Sequence, residues 1–220
     1  MSTNSLKIGI TGGIGSGKSY VSSILRCRGF KVFDCDSEAK RLMNTDMRMI
    51  DEIVRTVGPE AYIKSHQFRQ TDHGEELYET YELNRRVMAE FVFGSEQNTQ
   101  AINSIVHPHV AEEFRTWASL QHDDFVFMES AILFESGFNK LVDLSVAVVA
   151  DKEIRISRVT KRDGSERTSV EQRMRHQTST EYIEAHSDYI IHNDTNDDIE
   201  SETDRFIQYI NLQLKNRKSC

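Results

Sequence analysis

Residues 7–20 read KIGITGGIGSGKSY, a short apolar run that stops in glycines and ends in Lys18-Ser19-Tyr20. Gly12, four intervening residues and then Gly17-Lys18-Ser19 give the spacing G-x-x-x-x-G-K-S/T of a loop built to hold phosphate. Ile8 and Ile10 alternate as a strand does, and Val21, Ile24 and Leu25 recur as the apolar stripe of a helix does. The motif therefore stands between strand and helix, which a chance glycine-rich turn would not require. Glycines at 12, 13, 15 and 17 let successive N–H groups turn inward around oxygens. A helix starting near Lys18 adds the positive end of its dipole. On this reading Lys18 reaches the outer phosphates of a nucleoside triphosphate, and the Ser19 hydroxyl takes the magnesium ion that accompanies it.

A chain of 220 residues allows one domain with insertions, or a core with a subdomain. The net charge of −8 argues against a wide basic surface, so nucleic acid is not an expected partner. No apolar run approaches the ~20 residues of a membrane span, and the first residues lack a signal-peptide pattern. The expectation is a cytoplasmic protein with no membrane partner. Cys27, Cys35 and Cys220 are odd in number and lack metal-ligand spacing, which suits reduced thiols. Nothing in the pattern sets an oligomeric state. The charge is uneven, however: residues 152–176 carry eight Lys or Arg against four acids, which points to a small polyanionic ligand.

Along the chain, Gly29 breaks the first helix and residues 30–33 read as a strand running into Asp34-Cys35-Asp36. Carboxylates then lie at a strand's carboxyl end, where open α/β sheets bind ligands. One could cap the next helix; two exceed what a cap needs. Helical spacing follows over 37–57 with a break near 44–46, then after Leu83 as far as Gly94, then from Thr99 into the 110s with His107-Pro108 inside. Residues 60–80 are polar and irregular, and no strand pattern appears between Asp36 and Phe125, so a helical insertion is expected. The runs 125–129 and 144–150 read as buried strands. Glu129 ends the first of them, where an acid supports the metal of a nucleotide site or caps a helix. In a helix over 152–163, Arg155, Arg158 and Arg162 share one face. Like charges on one face repel, so a ligand is a better reason for them than solvent. Arg167, Arg173 and Arg175 are expected on a polar, mobile segment, before a short strand over 188–192 and a closing helix through Phe206, Ile210 and Leu214.

Taken together, these stretches resemble the dephospho-coenzyme A kinase family. GITGGIGSGKS (residues 9–19) matches its phosphate loop; FDCDSEAKRL (33–42) resembles its D-A-D-x-x-A-R turn; INSIVHPHV (102–110), its L-N-x-x-x-H-P element. AILFESG (131–137) resembles P-L-L-F-E, RVTKRD (158–163) the arginine-rich lid, and IIHN (190–193) the V-I-x-N strand. The phosphate loop is shared with many kinases and GTPases, whereas the other elements in this order are specific. The resemblance implies an α/β P-loop NTPase three-layer fold, with a parallel β-sheet core over 1–36, 121–151 and 186–220. It further implies a helical substrate-binding insertion over 37–120 and a basic helical lid over 152–185.

It also implies the reaction: transfer of the γ-phosphate of ATP, with Mg2+, to the ribose 3′-hydroxyl of dephospho-CoA. Asp36 becomes the candidate base, with Lys18 and Arg158 stabilising the transferring group. Gly13, Ile14, Gly15, Ser16, Gly17, Lys18, Ser19, Tyr20 and Arg162 are the candidate ATP contacts. Asp36, His107, Leu133 and Glu135 are placed on the acceptor side, and Ser19 with Asp34 or Glu129 through water at the metal. Three positions depart from the family pattern: Tyr20 for threonine, Ala131 for proline, and Cys35 within the acidic turn. Neither Ala131 nor Cys35 removes a reactive group; Tyr20 replaces the side chain that the family brings to the α-phosphate.

Two other readings compete. A regulatory GTPase reads guanine with N-K-x-D, but Asn139-Lys140-Leu141-Val142 displaces the acid to Asp143, and no D-x-x-G follows the third strand. A nucleoside monophosphate or shikimate kinase shares the phosphate loop but not the H-P and L-F-E elements.

Overall fold

The computed structural model describes residues 5–71, 74–195 and 198–218. In chain order these form β1 (Leu6–Thr11), α1 (Lys18–Cys27), β2 (Lys31–Asp34), α2 (Cys35–Thr45), α3 (Met47–Val57), β3 (Tyr62–Thr71), β4 (Gly74–Leu83), α4 (Arg85–Gly94) and α5 (Glu96–Ser119). There follow β5 (Phe125–Glu129), β6 (Leu144–Val149), α6 (Lys152–Asp163), α7 (Arg167–Arg175), α8 (Thr180–His186), β7 (Tyr189–His192) and α9 (Ile199–Lys218). Two compact units result: residues up to Cys35 together with those from Phe114 onward, and residues 36–113.

In the first unit a five-stranded sheet runs in the order β2-β5-β1-β6-β7, every pairing parallel. Strands buried on both faces read as continuous apolar runs, which is why FVFME and LSVAVV were legible. Leu6, Ile8 and Ile10 of β1 pack with Val21 and Leu25 of α1, Phe127 of β5, and Phe206 and Ile210 of α9. On another side Ala147 and Val149 of β6 meet Ile183 of α8 and Phe134. Because β1 lies between β5 and β6, its outgoing loop leaves the carboxyl edge at the sheet's centre. Asp143, the acid displaced from a guanine-reading motif, accepts the Lys7 N–H at 2.8 Å and binds Arg217 of α9 at 2.8 Å. Its work is to tie β1 to the closing helix.

The second unit corrects the all-helical expectation. Residues 62–71 and 74–83 form an antiparallel hairpin, paired from Tyr62↔Leu83 to Thr71↔Gly74. Its side chains carry little apolar alternation, because beyond the buried Tyr62 its apolar side chains on both faces meet solvent: Ile63 is 55%, Phe68 70% and Leu77 54% exposed. A strand whose two faces both meet solvent leaves no period-two signature. The break near 44–46 is a true helix boundary. Asp46 caps α3, accepting from the Arg48 N–H at 2.9 Å, and its other oxygen meets His109 Nδ1 at 3.1 Å, while His109 Nε2 meets Glu52 at 3.2 Å. Burial alone would raise the Asp46 pKa, but these hydrogen bonds outweigh it and hold the carboxyl below its ordinary value. Asp46→Ala is expected to lower stability by about 1–2 kcal/mol, read as a fall in the urea midpoint at unchanged slope. An unchanged midpoint would exclude the cap.

Two further boundaries differ from expectation. Strand β2 ends at Asp34 and α2 begins at Cys35, so Asp36 stands in a first helical turn and not at a strand's end. Arg167, Arg173 and Arg175, expected on a polar, mobile segment, lie on the helix α7. Val170 anchors that helix, packing fully buried against Ile156 and Val159 of α6. No helix among the described residues is long and apolar enough to cross a membrane. Cys27 is exposed and Cys35 buried; Cys220 lies outside the described residues.

Candidate active site

The loop between β1 and α1 is held in shape by side chains from distant elements. Arg155 of α6 donates from Nε to the Ile14 carbonyl at 3.0 Å. Asn193, just after β7, donates from Nδ2 to the Ser16 carbonyl at 2.7 Å. Both carbonyls are thereby drawn into the protein, which disposes neighbouring N–H groups toward the open side. The two donors come so close that a Cβ at Gly13 would fall on Arg155 Nη2, and one at Gly17 on Asn193 Nδ2. Gly17 also has φ of 98°, which a side chain resists. It opens α1, whose first turn has neither a side-chain cap nor an acid. Such a helix end presents unsatisfied N–H groups to an anion.

Facing this end is a cavity of about 220 Å³, lined by Gly15, Gly17, Lys18, Ser19, Tyr20, Arg158, Val159 and Arg162. The structure thus gathers six of the expected ATP contacts and both expected cationic catalysts. Arg158 Nη1 is buried there with no hydrogen-bond partner among the described residues. A buried guanidinium nitrogen left unsatisfied costs on the order of 1–3 kcal/mol, so the position calls for an anionic ligand. Ser16 Oγ of the loop is unsatisfied in the same way. Arg162 is more exposed and already engaged: it grips Asp163 through Nε and Nη2 at 2.6 and 3.1 Å, and Arg173 reaches the same carboxylate at 3.0 Å. The two arginines, Arg162 first, hold the Asp163 pKa down at about 2.

Beside the cavity, Ser19 donates its hydroxyl hydrogen to Glu129 Oε1 at 2.6 Å. Glu129 is only 5% exposed, with Arg26 3.9 Å from its other oxygen. Asp34 is its register partner on the neighbouring parallel strand, so both carboxylates leave the same face of the sheet at its carboxyl edge. One hydroxyl and two carboxylates form a hard oxygen set. Such a set suits a magnesium ion that keeps several waters and completes its shell with phosphate oxygens. Among the described residues no group of three or more His, Cys, Asp or Glu could hold a metal unaided.

The remaining expected site residues are placed as follows. Leu133 is fully buried, its methyls lying against Gly9 and leaving no room for a Cβ there; anything it offers a ligand comes through its backbone. Glu135 is exposed and accepts the Thr178 N–H at 2.9 Å. The Ile14 N–H, expected at ATP, goes to Gln177 Oε1 at 2.8 Å. Asp36 and His107 belong to the second unit; Asp36 is exposed in the first turn of α2, and burial pushes the His107 pKa down, favouring its neutral ring.

Sequence reading placed Arg155 among ligand-facing arginines, but its side chain is buried at 8% exposure. Burial pulls its pKa below the ordinary arginine value, with Glu181 opposing, and Nη1 donates to the Thr180 hydroxyl at 2.9 Å. Gln177 and Thr180 were missed altogether. They sit in or beside a turn, where no periodicity marks a residue.

A family model described as dephospho-CoA kinase matches residues 6–198. The chain belongs to the dephospho-CoA kinase family. Membership makes it a kinase of that family, and the loop, helix end and arginine cavity are the phosphate-handling parts such an enzyme needs. It is 38% identical over 190 residues to a dephospho-CoA kinase of Bacteroides fragilis, spanning 86% of this chain and 85% of the relative. A dephospho-CoA kinase of Salinibacter ruber is also 38% identical, over 85% of this chain and 88% of its own. Among solved structures, TT1252 from Thermus thermophilus aligns with a TM-score of 0.75 at 29% identity, covering 96% of this chain and 98% of that one. A shikimate kinase from Acinetobacter baumannii aligns at 0.53 and 14% identity over 96% of both chains, a likeness of fold alone.

Proposed function

We propose that this chain transfers the γ-phosphoryl group of ATP to the ribose 3′-hydroxyl of dephospho-CoA, giving coenzyme A and ADP in the cytoplasm. The observation that carries the reading is the Arg158 nitrogen, buried and unsatisfied among the described residues, on a side chain that lines one cavity with Lys18 and the start of α1. Family membership supplies the acceptor. Neither nucleic acid nor a membrane enters the reaction.

The chemistry asks little covalent work of the protein. The bond from the 3′-oxygen to Pγ forms as the bond from Pγ to the β,γ-bridging oxygen breaks, and charge gathers on the equatorial oxygens. The N–H groups of Gly13, Gly15, Gly17, Lys18 and Ser19 cradle the phosphates, those of Ile14, Ser16 and Tyr20 being engaged within the protein; the ammonium of Lys18 and the guanidinium of Arg158 neutralise the moving group. Arg162 adds charge at the rim after exchanging Asp163 for phosphate. Asp36 accepts the proton of the ribose hydroxyl late in the transfer and aims that oxygen. His107, Glu135 and the Leu133 backbone serve the acceptor side. Ser19, with Asp34 or Glu129 through water, would hold a magnesium ion, which would supply neutralising charge to the phosphate oxygens.

The decisive assay incubates the protein with ATP, magnesium and separate alcohols: dephospho-CoA, adenosine monophosphate and shikimate. Only dephospho-CoA is expected to gain phosphate; transfer to either other acceptor in preference to it overturns the reading. Within this mechanism Arg158→Ala is expected to lower kcat about 10²-fold or more while KM for dephospho-CoA moves far less. A change confined to KM would place Arg158 in ground-state binding.

A further inference from the structure

The turn joining α7 to α8 touches three parts of the first unit within four residues. Gln177 Oε1 accepts the Ile14 N–H at 2.8 Å, the Thr178 N–H donates to Glu135 Oε1 at 2.9 Å, and the Thr180 hydroxyl accepts Arg155 Nη1 at 2.9 Å. Arg155 closes the circuit by donating from Nε to the Ile14 carbonyl at 3.0 Å. Ile14 is therefore gripped at both its N–H and its C=O by side chains that also meet, directly or through one residue, at the same turn.

The grip has a physical purpose. A glycine-rich loop has more backbone freedom to lose than any other kind, and an unheld peptide can turn its carbonyl oxygen toward a phosphate. Tying Ile14 at both ends removes that freedom before the ligand arrives, so less of the binding energy goes into ordering the loop. At its other end the same turn is tied to Glu135, in the 131–137 segment.

We propose that residues 177–180 form a strap that couples the phosphate loop to the Glu135 segment, with Gln177 and Arg155 as positioning residues for the loop. The proposal rests on the reading of the loop as an ATP site. Loss of the Glu135 tie frees the Thr178 backbone, loosens the adjoining Gln177 and relaxes Ile14. Nucleotide affinity thus depends on a residue outside the nucleotide cavity, and by reciprocity the occupancy of the loop acts on Glu135.

The test is calorimetric titration of the full-length chain with a non-hydrolysable ATP analogue and magnesium, with no acceptor present. Gln177→Leu is expected to weaken binding about tenfold, and Glu135→Ala about three- to fivefold, within the usual range of coupling between sites. The double variant is expected to bind no more weakly than Gln177→Leu alone, because both changes break one linkage. Glu135→Gln, which keeps an acceptor oxygen, restores nucleotide affinity. Thermal melts verify the fold, and Gln177→Ala replaces the leucine variant if that one fails to fold. Wild-type affinity in Glu135→Ala overturns the strap, as do effects that multiply independently in the double variant. Absence of analogue binding by the wild-type chain removes the ATP reading and the strap with it; intact binding without coupling removes the strap alone.

Discussion

Asp36→Asn is expected to cut kcat by roughly 10² to 10⁴ while leaving ATP affinity nearly unchanged. The amide keeps the shape of the side chain and loses the proton acceptor, so only the step that needs a base suffers. Asp34→Asn is expected to be milder in kcat and to act through magnesium dependence. The assignment of the two acids no longer rests on both lying along one strand. Asp34 is the last residue of β2, in register with Glu129, which holds Ser19. Asp36 stands in the first turn of α2, exposed and in the second unit. On the proposed reading the acid in register with Glu129 serves the metal, and the exposed acid at the head of the insertion serves the acceptor. Measured kcat for both variants, beside calorimetry with nucleotide, decides between them. A dead Asp34→Asn beside a fully active Asp36→Asn would exchange their roles.

Lys18→Ala is expected to nearly abolish turnover in a folded protein. Lys18 lines the same cavity as Arg158, and removing one such charge from the transition state costs on the order of 3 kcal/mol, about a hundredfold or more in kcat. The loop itself persists, because its carbonyls are held by Arg155 and Asn193 and not by the ammonium. Circular dichroism and thermal melting of the variant are therefore expected to match the parent. Wild-type kcat in that folded variant would refute the role given to Lys18.

Much of the fold and the core of the site lay open in the sequence for one reason: their determinants are contiguous. The phosphate loop is spelled out over Gly12 to Ser19, between a strand and a helix whose apolar periods are local. Strands β5 and β6, buried on both faces, announce themselves as apolar runs, and the break near 44–46 falls where the structure places the Asp46 cap of α3. What tertiary structure decided is what depends on residues far apart in the chain. Arg155, Arg158 and Arg162 share a helix face and look alike in sequence. Yet the first is buried against the loop, the second lines the cavity with its Nη1 buried and without a hydrogen-bond partner among the described residues, and the third is paired with Asp163. Their depth depends on where α6 meets the loop after β1, which no spacing within α6 records. The hairpin β3–β4 escaped because its faces are exposed and carry no alternation. Gln177 escaped because its hold on the loop is a hydrogen bond to Ile14 across 163 residues of chain; Asn193 was legible as the end of the IIHN stretch, but its bond to Ser16, across 177 residues, was not. A local pattern reports which face of an element is apolar; only the packed chain determines which polar atom on that face finds a partner and which is left for a ligand.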